Sequence, residues 1–346
     1  MTEVLDAVAD EAAWLEWWRQ STREPQAHPA YSRLLAAPDH RPVAILHTSQ
    51  AGSALVPLVL RPVPGVADRW DAISPYGYGG PFLRGEARVE QVLDAVAGWA
   101  AGAGLCSVFL RLSLGAEVAE GRRSSGVQVD VLSENVVVDL RRTEDELWMG
   151  YEHKVRKNVN KAMRAGCTVS RSEAFDDLDA FLDVYGETMA RRSADEWFRF
   201  DRAWFAAWDD ELAGSYSVFV VRDATGRPVS VELVLEGDDH LYSFLGGTRA
   251  DAFSLSPNDL LKHEVIRYGQ RTARRGFVLG GGFRPGDGIY RYKRSFDPRG
   301  TAPFRAVRIV ADVPLYDRLT AERVRQGGAA DSPFFPAYRA PGASVD

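Results

Sequence analysis

Cysteine is nearly absent from this chain: Cys106 and Cys167 are the only two in 346 residues. Two thiols build neither a disulfide framework nor a zinc quartet, and each sits where a small core residue is expected. The six histidines (28, 40, 47, 153, 240, 263) are scattered, with no HExxH and no pair four residues apart, so no metal is expected. GxSxG is missing as well, which removes the commonest hydrolase signature. No apolar run approaches the roughly 18–20 residues of a membrane span. The N-terminus, MTEVLDAVADEAAW, is acidic where a secretion signal is basic and then apolar. A cytoplasmic protein is the expectation. Lysine is scarce too: of 42 basic residues only five are Lys, at 154, 157, 161, 262 and 293.

What is present is a globular composition, 45% hydrophobic and 26% charged, long enough for two domains of about 150–170 residues. The net charge of −6 excludes a uniformly basic coat but leaves room for a local basic face. In the second half, pattern reading predicts a helix over 177–192, strands over 217–222, 229–236 and 240–245, a helix from Ser256 (N-cap) and Pro257 to Gly276, and strands over 277–279 and 304–310. The first half reads in the same order: helices near 11–19 and 29–37, strands near 42–47, 53–62 and 69–75, a helix over 86–104 and the strand CSVFLRL. Gly79-Gly80 is answered by Gly246-Gly247, and Cys106 by Phe277, at a nearly constant offset. The expected fold class is therefore mixed α/β, one unit built twice with a cleft between the copies.

The segment 143–166 reads as one joining helix. Thr143 and Glu146 suit a capping box and Gly166 a stop. Trp148, Tyr151, Val155, Val159, Ala162 and Met163 form an apolar stripe, with Lys154, Arg156, Lys157, Lys161 and Arg164 opposite. This gives boundaries at 1–142, 143–166 and 167–312, with a tail, 313–346, expected to pack back on the first domain.

The segments HKVRKNVNKAMRAGCTV (153–169), ETMARRS (187–193), LYSFLGGTR (241–249) and DGIYRYKRSFDP (287–298), with SPYGYGGP (74–81) in the first half, together resemble the Fem family, aminoacyl-tRNA-dependent transferases built from two tandem GNAT-like domains. The resemblance covers about residues 30–310. It implies that Lys293, in the pair Tyr292-Lys293, acts on the donor's acyl ester; Tyr stands where the family pattern commonly has Phe. The physics agrees, because amine attack on an ester develops an oxyanion that a fixed ammonium stabilises.

Charge placement points the same way. Between Lys262 and Arg308 lie twelve basic and three acidic residues, a net +9 in a chain of −6, which fits a polyanion footprint. The donor-binding set is accordingly Lys154, Arg156, Lys157, Lys161, Arg164, Arg271, Arg274 and Arg275. No convincing pyrophosphate loop appears in GGTRADAFSLSPND or GGPFLRGEAR, and the glycines at 280–282, 286 and 288 miss dinucleotide spacing. Those glycines are read as allowing close approach to the donor's acyl end.

Tyr76, Tyr78 and Gly79 are placed at the acceptor, with Arg33, Arg192 and Arg199 as candidate anion clamps. The general base is left open among Asp287, Glu232, Tyr242 and a substrate group. The leading expectation is an amide-forming transferase that needs no resident cofactor. Aminoacyl-tRNA serves as co-substrate, and the acceptor is an amine on a peptidoglycan precursor or a small metabolite. An acyl-CoA-dependent enzyme and a non-catalytic RNA- or precursor-binding protein are the alternatives.

Overall fold

The computed structural model describes residues 1–341 apart from 22, 120, 122, 125, 193–195 and 330–331. Ser193 of the ETMARRS segment and the end of the 313–346 tail lie outside the described residues. Along the chain run β1 (Thr2–Asp6), α1 (Glu11–Arg19), α2 (Pro29–Leu34), β2 (Arg41–Thr48), β3 (Gly52–Pro62), β4 (Trp70–Ile73), β5 (Phe82–Gly85), α3 (Val89–Gly102), β6 (Ser107–Arg111), β7 (Arg123–Ser124) and β8 (Val127–Asp139). Next come α4 (Glu144–Gly150), α5 (His153–Arg164), β9 (Thr168–Ser172), α6 (Leu178–Arg191), α7 (Arg202–Glu211), β10 (Tyr216–Arg222), β11 (Pro228–Glu236) and β12 (His240–Thr248). The last elements are α8 (Pro257–Arg271), β13 (Gly276–Gly280), α9 (Gly288–Arg294), β14 (Thr301–Val310) and α10 (Val313–Arg325).

Two units emerge, Met1–Leu132 with Pro303–Asp346, and Ser133–Ala302. In the first, the strand order is β1-β2-β3-β4-β6-β14, antiparallel except for β4 beside β6. In the second it is β8-β13-β12-β11-β10-β9, antiparallel except for β12 beside β13. Each unit thus repeats one pattern: three antiparallel strands, a crossover helix (α3 or α8), a parallel strand, and an antiparallel strand closing that edge. The parallel step needs a helix-length connection, and the amphipathic α3 and α8 provide it. Burial follows the alternation of apolar residues: Val92, Val96, Val108 and Leu110 in the first core, Leu261, Val265, Leu241 and Phe277 in the second.

The joining segment departs from expectation. One helix over 143–166 becomes two, because Tyr151 and Glu152 both adopt extended ψ near 147°. Tyr151 is thereby driven into the core of the second unit, its ring edge-on to Phe296 at 5.6 Å and its hydroxyl 3.2 Å from His263. The capping box is as expected, with Glu146 N–H donating to Thr143 and Thr143 N–H to Glu146. Met163, assigned to the apolar stripe, is instead 52% exposed. Helix α8 stops at Arg271, five residues before Gly276, and Ser256 makes no side-chain cap because its backbone is left-handed (φ 59°).

Candidate active site

Parallel pairing between β12 and β13 lasts only from His240 to Tyr242. β13 ends at Gly280, where φ is +76°, while β12 continues to Thr248. From Ser243 onward no strand among the described residues pairs with β12 on that side, and Ser243, Gly246, Gly247 and Thr248 line a cavity of about 1220 Å³ within the second unit. An unpaired strand edge offers backbone donors and acceptors to whatever enters. Gly246 lets β12 lie close against β11: an added Cβ would lie 2.7 Å from the Val231 carbonyl.

Lys293 and Tyr292 both line this cavity. They stand on α9, whose start is fixed by Asp287 accepting backbone N–H groups from Tyr290 (2.8 Å), Phe283 (2.7 Å) and Arg284 (3.0 Å). Those bonds hold Asp287 below the usual carboxylate range and commit it to capping. Lys293 donates to the Gly281 carbonyl at 2.7 Å. Burial, reinforced by Lys262, lowers its pKa to about 8. The Tyr292 hydroxyl accepts from Asn258 at 2.9 Å, and burial keeps it neutral far above the ordinary tyrosine range.

The glycine run at 280–282 serves the chain itself. A Cβ on Gly280 would meet Lys293 Nζ at 3.5 Å, and one on Gly282 would strike the Asp287 carboxylate. The small residues let the lysine and the cap close in.

Several groups of the cavity went unremarked as site residues in the sequence. Lys262 is 7% exposed, forms an ion pair with Glu232 and donates to Ser243 Oγ at 2.8 Å. Asp259 accepts from Asn158 at 3.1 Å, and burial raises its carboxyl above the usual range. The readable signal was there: one of only five lysines, on the same helix stripe as Val265 and Ile266. Glu232 likewise interrupts the apolar strand VSVELVLE. Of the three candidate bases, Asp287 is a cap and Tyr242 does not line the cavity, whereas Glu232 does.

The donor set divides. Lys154 faces the cavity. Arg156, Lys157 and Arg164, with His153 and Trp148, line a second recess of about 410 Å³ along α5. Arg156 also donates to the Tyr151 and Met149 carbonyls, while Lys157, Lys161 and Arg164 are exposed. Arg271 is exposed, but Arg274 pairs with Glu236 at 3.5 Å and Arg275 with Asp239 at 3.7 Å.

The acceptor set divides as well. In the second unit, Arg192 lines the cavity and Arg199 is exposed outside its lining. In the first unit, Arg33 pairs with Glu11 at 2.8 Å and donates to the Ala7 carbonyl, tying α2 to α1. Gly79 is packed on Ser74, where a Cβ would sit 2.2 Å away. Tyr76 is 40% exposed, and its carbonyl accepts from Tyr31 at 2.8 Å. Tyr78 stands edge-on to Phe304 at 5.8 Å.

Among the described residues no helix is long and apolar enough to cross a membrane, and no cluster of three or more His, Cys, Asp or Glu is placed to hold a metal ion.

Comparison with known proteins adds the following. Residues 151–294 match the family model described as an acetyltransferase (GNAT) domain. No curated protein sequence matches the chain. Among solved structures, FemX is similar with a TM-score of 0.64 at 14% identity, over 83% of this chain and 92% of that one. L-PGS from Bacillus licheniformis gives 0.57 at 14% identity, over 88% and 94%. A conserved protein of unknown function from Bacteroides thetaiotaomicron VPI-5482 gives 0.57 at 11%, over 89% and 100%. The chain shares its fold, one GNAT-like unit built twice, with FemX and L-PGS, and the stretch that matches the acetyltransferase (GNAT) domain lies in its second unit.

Proposed function

We propose that the protein is an N-acyltransferase that moves an amino acid from an aminoacyl-tRNA onto an amine, with the acyl end of the donor held in the cavity of the second unit. The observation that carries this reading is Lys293, a half-buried ammonium beside an unpaired strand edge. When an amine attacks the donor ester, negative charge gathers on the carbonyl oxygen. An ammonium already desolvated and held by Gly281 stabilises that charge without reorganising. The ester is activated before it arrives, so orientation and oxyanion stabilisation are the chief tasks of the protein. Tyr292, fixed by Asn258, shapes the wall beside it.

Support for a polyanionic donor comes from α5. One side of this helix (Lys154, Asn158) lines the cavity, and the other (Lys157, Arg164) lines the second recess. Phosphates laid along α5 would lead an acyl end into the cavity.

A second reading, an acyl-CoA donor, is favoured by the start of α8. Its N-terminal turn lacks a side-chain cap, and Asn258 in that turn lines the cavity, so its backbone N–H is available to a phosphate.

The test is amide formation by purified protein from charged tRNA or from acyl-CoA mixtures with a pool of candidate amines, followed by mass spectrometry. Product from charged tRNA that is abolished by prior RNase, with affinity falling steeply between low and moderate salt, is the expected result. Product from acyl-CoA alone, indifferent to RNase, would replace the first reading by the second.

A further inference from the structure

We propose that Glu232 is the catalytic proton acceptor of the transfer, taking the proton that the attacking amine loses; this rests on the acyltransferase reading above. Glu232 lies in the middle of β11 and is 2% exposed. One carboxylate oxygen, Oε1, is held by Lys262. The other, Oε2, is closed to solvent and has no hydrogen-bond partner among the described residues. A buried oxygen left unmatched costs about 1–3 kcal/mol, and native structures keep few of them without a use.

The surroundings give that oxygen a task. Glu232 lines the same cavity as Lys293, close enough for its charge to act on the lysine. Six basic and four acidic residues line the cavity, so an incoming amine is disfavoured as a cation and favoured as the free base that attacks. Such an amine has an N–H to donate, and of the carboxylates lining the cavity Glu232 alone carries a buried oxygen with no hydrogen-bond partner among the described residues. Asp287 is consumed by backbone N–H groups, Asp259 already accepts from Asn158 at 3.1 Å, and Glu152 is exposed. Gly246, directly across the strand pair from Glu232, brings no side chain against it: an added Cβ would lie 3.5 Å from that of Glu232.

The step balances as follows. The amine nitrogen forms a bond to the acyl carbon, and the bond from that carbon to the leaving oxygen (sulfur, for a thioester) breaks. The proton released from nitrogen goes to the Glu232 carboxylate, and the leaving atom takes a proton from the Lys293 ammonium. Proton exchange with solvent then restores both side chains, leaving an amide and an alcohol or thiol.

The experiment compares two nucleophiles on one donor, whichever the parent protein uses. An alkylamine, with a pKa of about 10, forms an adduct that holds its extra proton tightly and needs a base to take it. Hydroxylamine is already neutral at pH 7, and its adduct sheds a proton to water readily. Glu232→Gln should lower transfer to the alkylamine by on the order of 10²-fold or more and leave transfer to hydroxylamine within about threefold. Glu232→Asp, which keeps the charge and the pairing with Lys262 within reach, should show the same selectivity with a smaller loss, and it serves if the Gln variant does not fold. Equal losses for both nucleophiles would make Glu232 structural and overturn the proposal, as would no loss for either. Absence of product from the parent with both nucleophiles would overturn the acyltransferase reading itself, and this proposal with it.

Discussion

Lys293 shows how one side chain can be poor for stability and good for chemistry. Its pKa of about 8, against an ordinary 10.5, means that folding disfavours the ammonium. The unfolded chain binds the proton more tightly, so the cost is fully present below about pH 8 and is relieved as pH rises from 8 towards 10.5. Lys293→Met should therefore raise unfolding stability at pH 7 by on the order of 1–2 kcal/mol, after discounting for partial solvent access. The gain should shrink to nothing above about pH 10.5. In the same variant transfer should fall by about 10²-fold or more, and the parent's rate should decline as pH rises through about 8, where the ammonium is lost. Chemical denaturation at several pH values and a pH–rate profile check both halves. A variant that is less stable at pH 7 would mean that Gly281 and the nearby Glu232 more than offset the desolvation of the ammonium.

Helix α5 carries the question of the donor at the scale of an element. Val155, Val159 and Ala162 bury one side, while Lys157 and Lys161 are exposed on the other. Replacing both lysines by Glu should leave the unfolding midpoint within about 0.5 kcal/mol of the parent, since neither contributes to the core. Donor affinity should fall, and the slope of log affinity against log salt should flatten by about 0.7–0.9 for each phosphate that the helix no longer neutralises. An unchanged slope would reduce this face to a solvated surface.

Elements with strong local signals were legible in the sequence. Strands β10 and β11 lie where alternation and turn residues put them, and Asp177 caps α6 through the Ala180 N–H. The break at Tyr151 was not legible, because 3.6-residue periodicity continues through it. What extends that residue is a tertiary cavity for its ring beside His263 and Phe296. Within the site, the Tyr292-Lys293 pair could be found by motif. The ion pair of Lys262 with Glu232 could not, since it joins residues 30 apart through the packing of α8 on β11. Arg274 was counted towards a polyanion footprint from charge alone, yet it is held by Glu236 and the Asp238 carbonyl. Composition counts cations without knowing which are already paired.

At the scale of the whole molecule, the first unit is discontinuous in sequence, and its early and late segments are fastened by a buried charge. Asp71 on β4 is 0% exposed. Its Oδ1 accepts from Arg61 at 2.8 Å, and its Oδ2 accepts from Tyr338 at 2.8 Å and Arg339 at 2.6 Å. Tyr338 also packs with Leu315 and Leu319 of α10 against Val63 and Cys106. A chain ending at Gly328 keeps α10 but removes two of the three partners of Asp71. A buried carboxylate left half-partnered costs about 2–4 kcal/mol, which in a unit of this size lowers the melting temperature by roughly 5–10 °C. If the charge is the cause, Asp71→Asn in the shortened chain should restore part of the loss, because an amide tolerates the missing guanidinium better than a carboxylate does. In the full-length chain the same substitution should destabilise, since Arg61 and Arg339 would then face a neutral group. Calorimetry on the four proteins closes the cycle. Equal effects of Asp71→Asn in the long and short chains would show that the tail acts through apolar packing around Tyr338 rather than through the charge on Asp71.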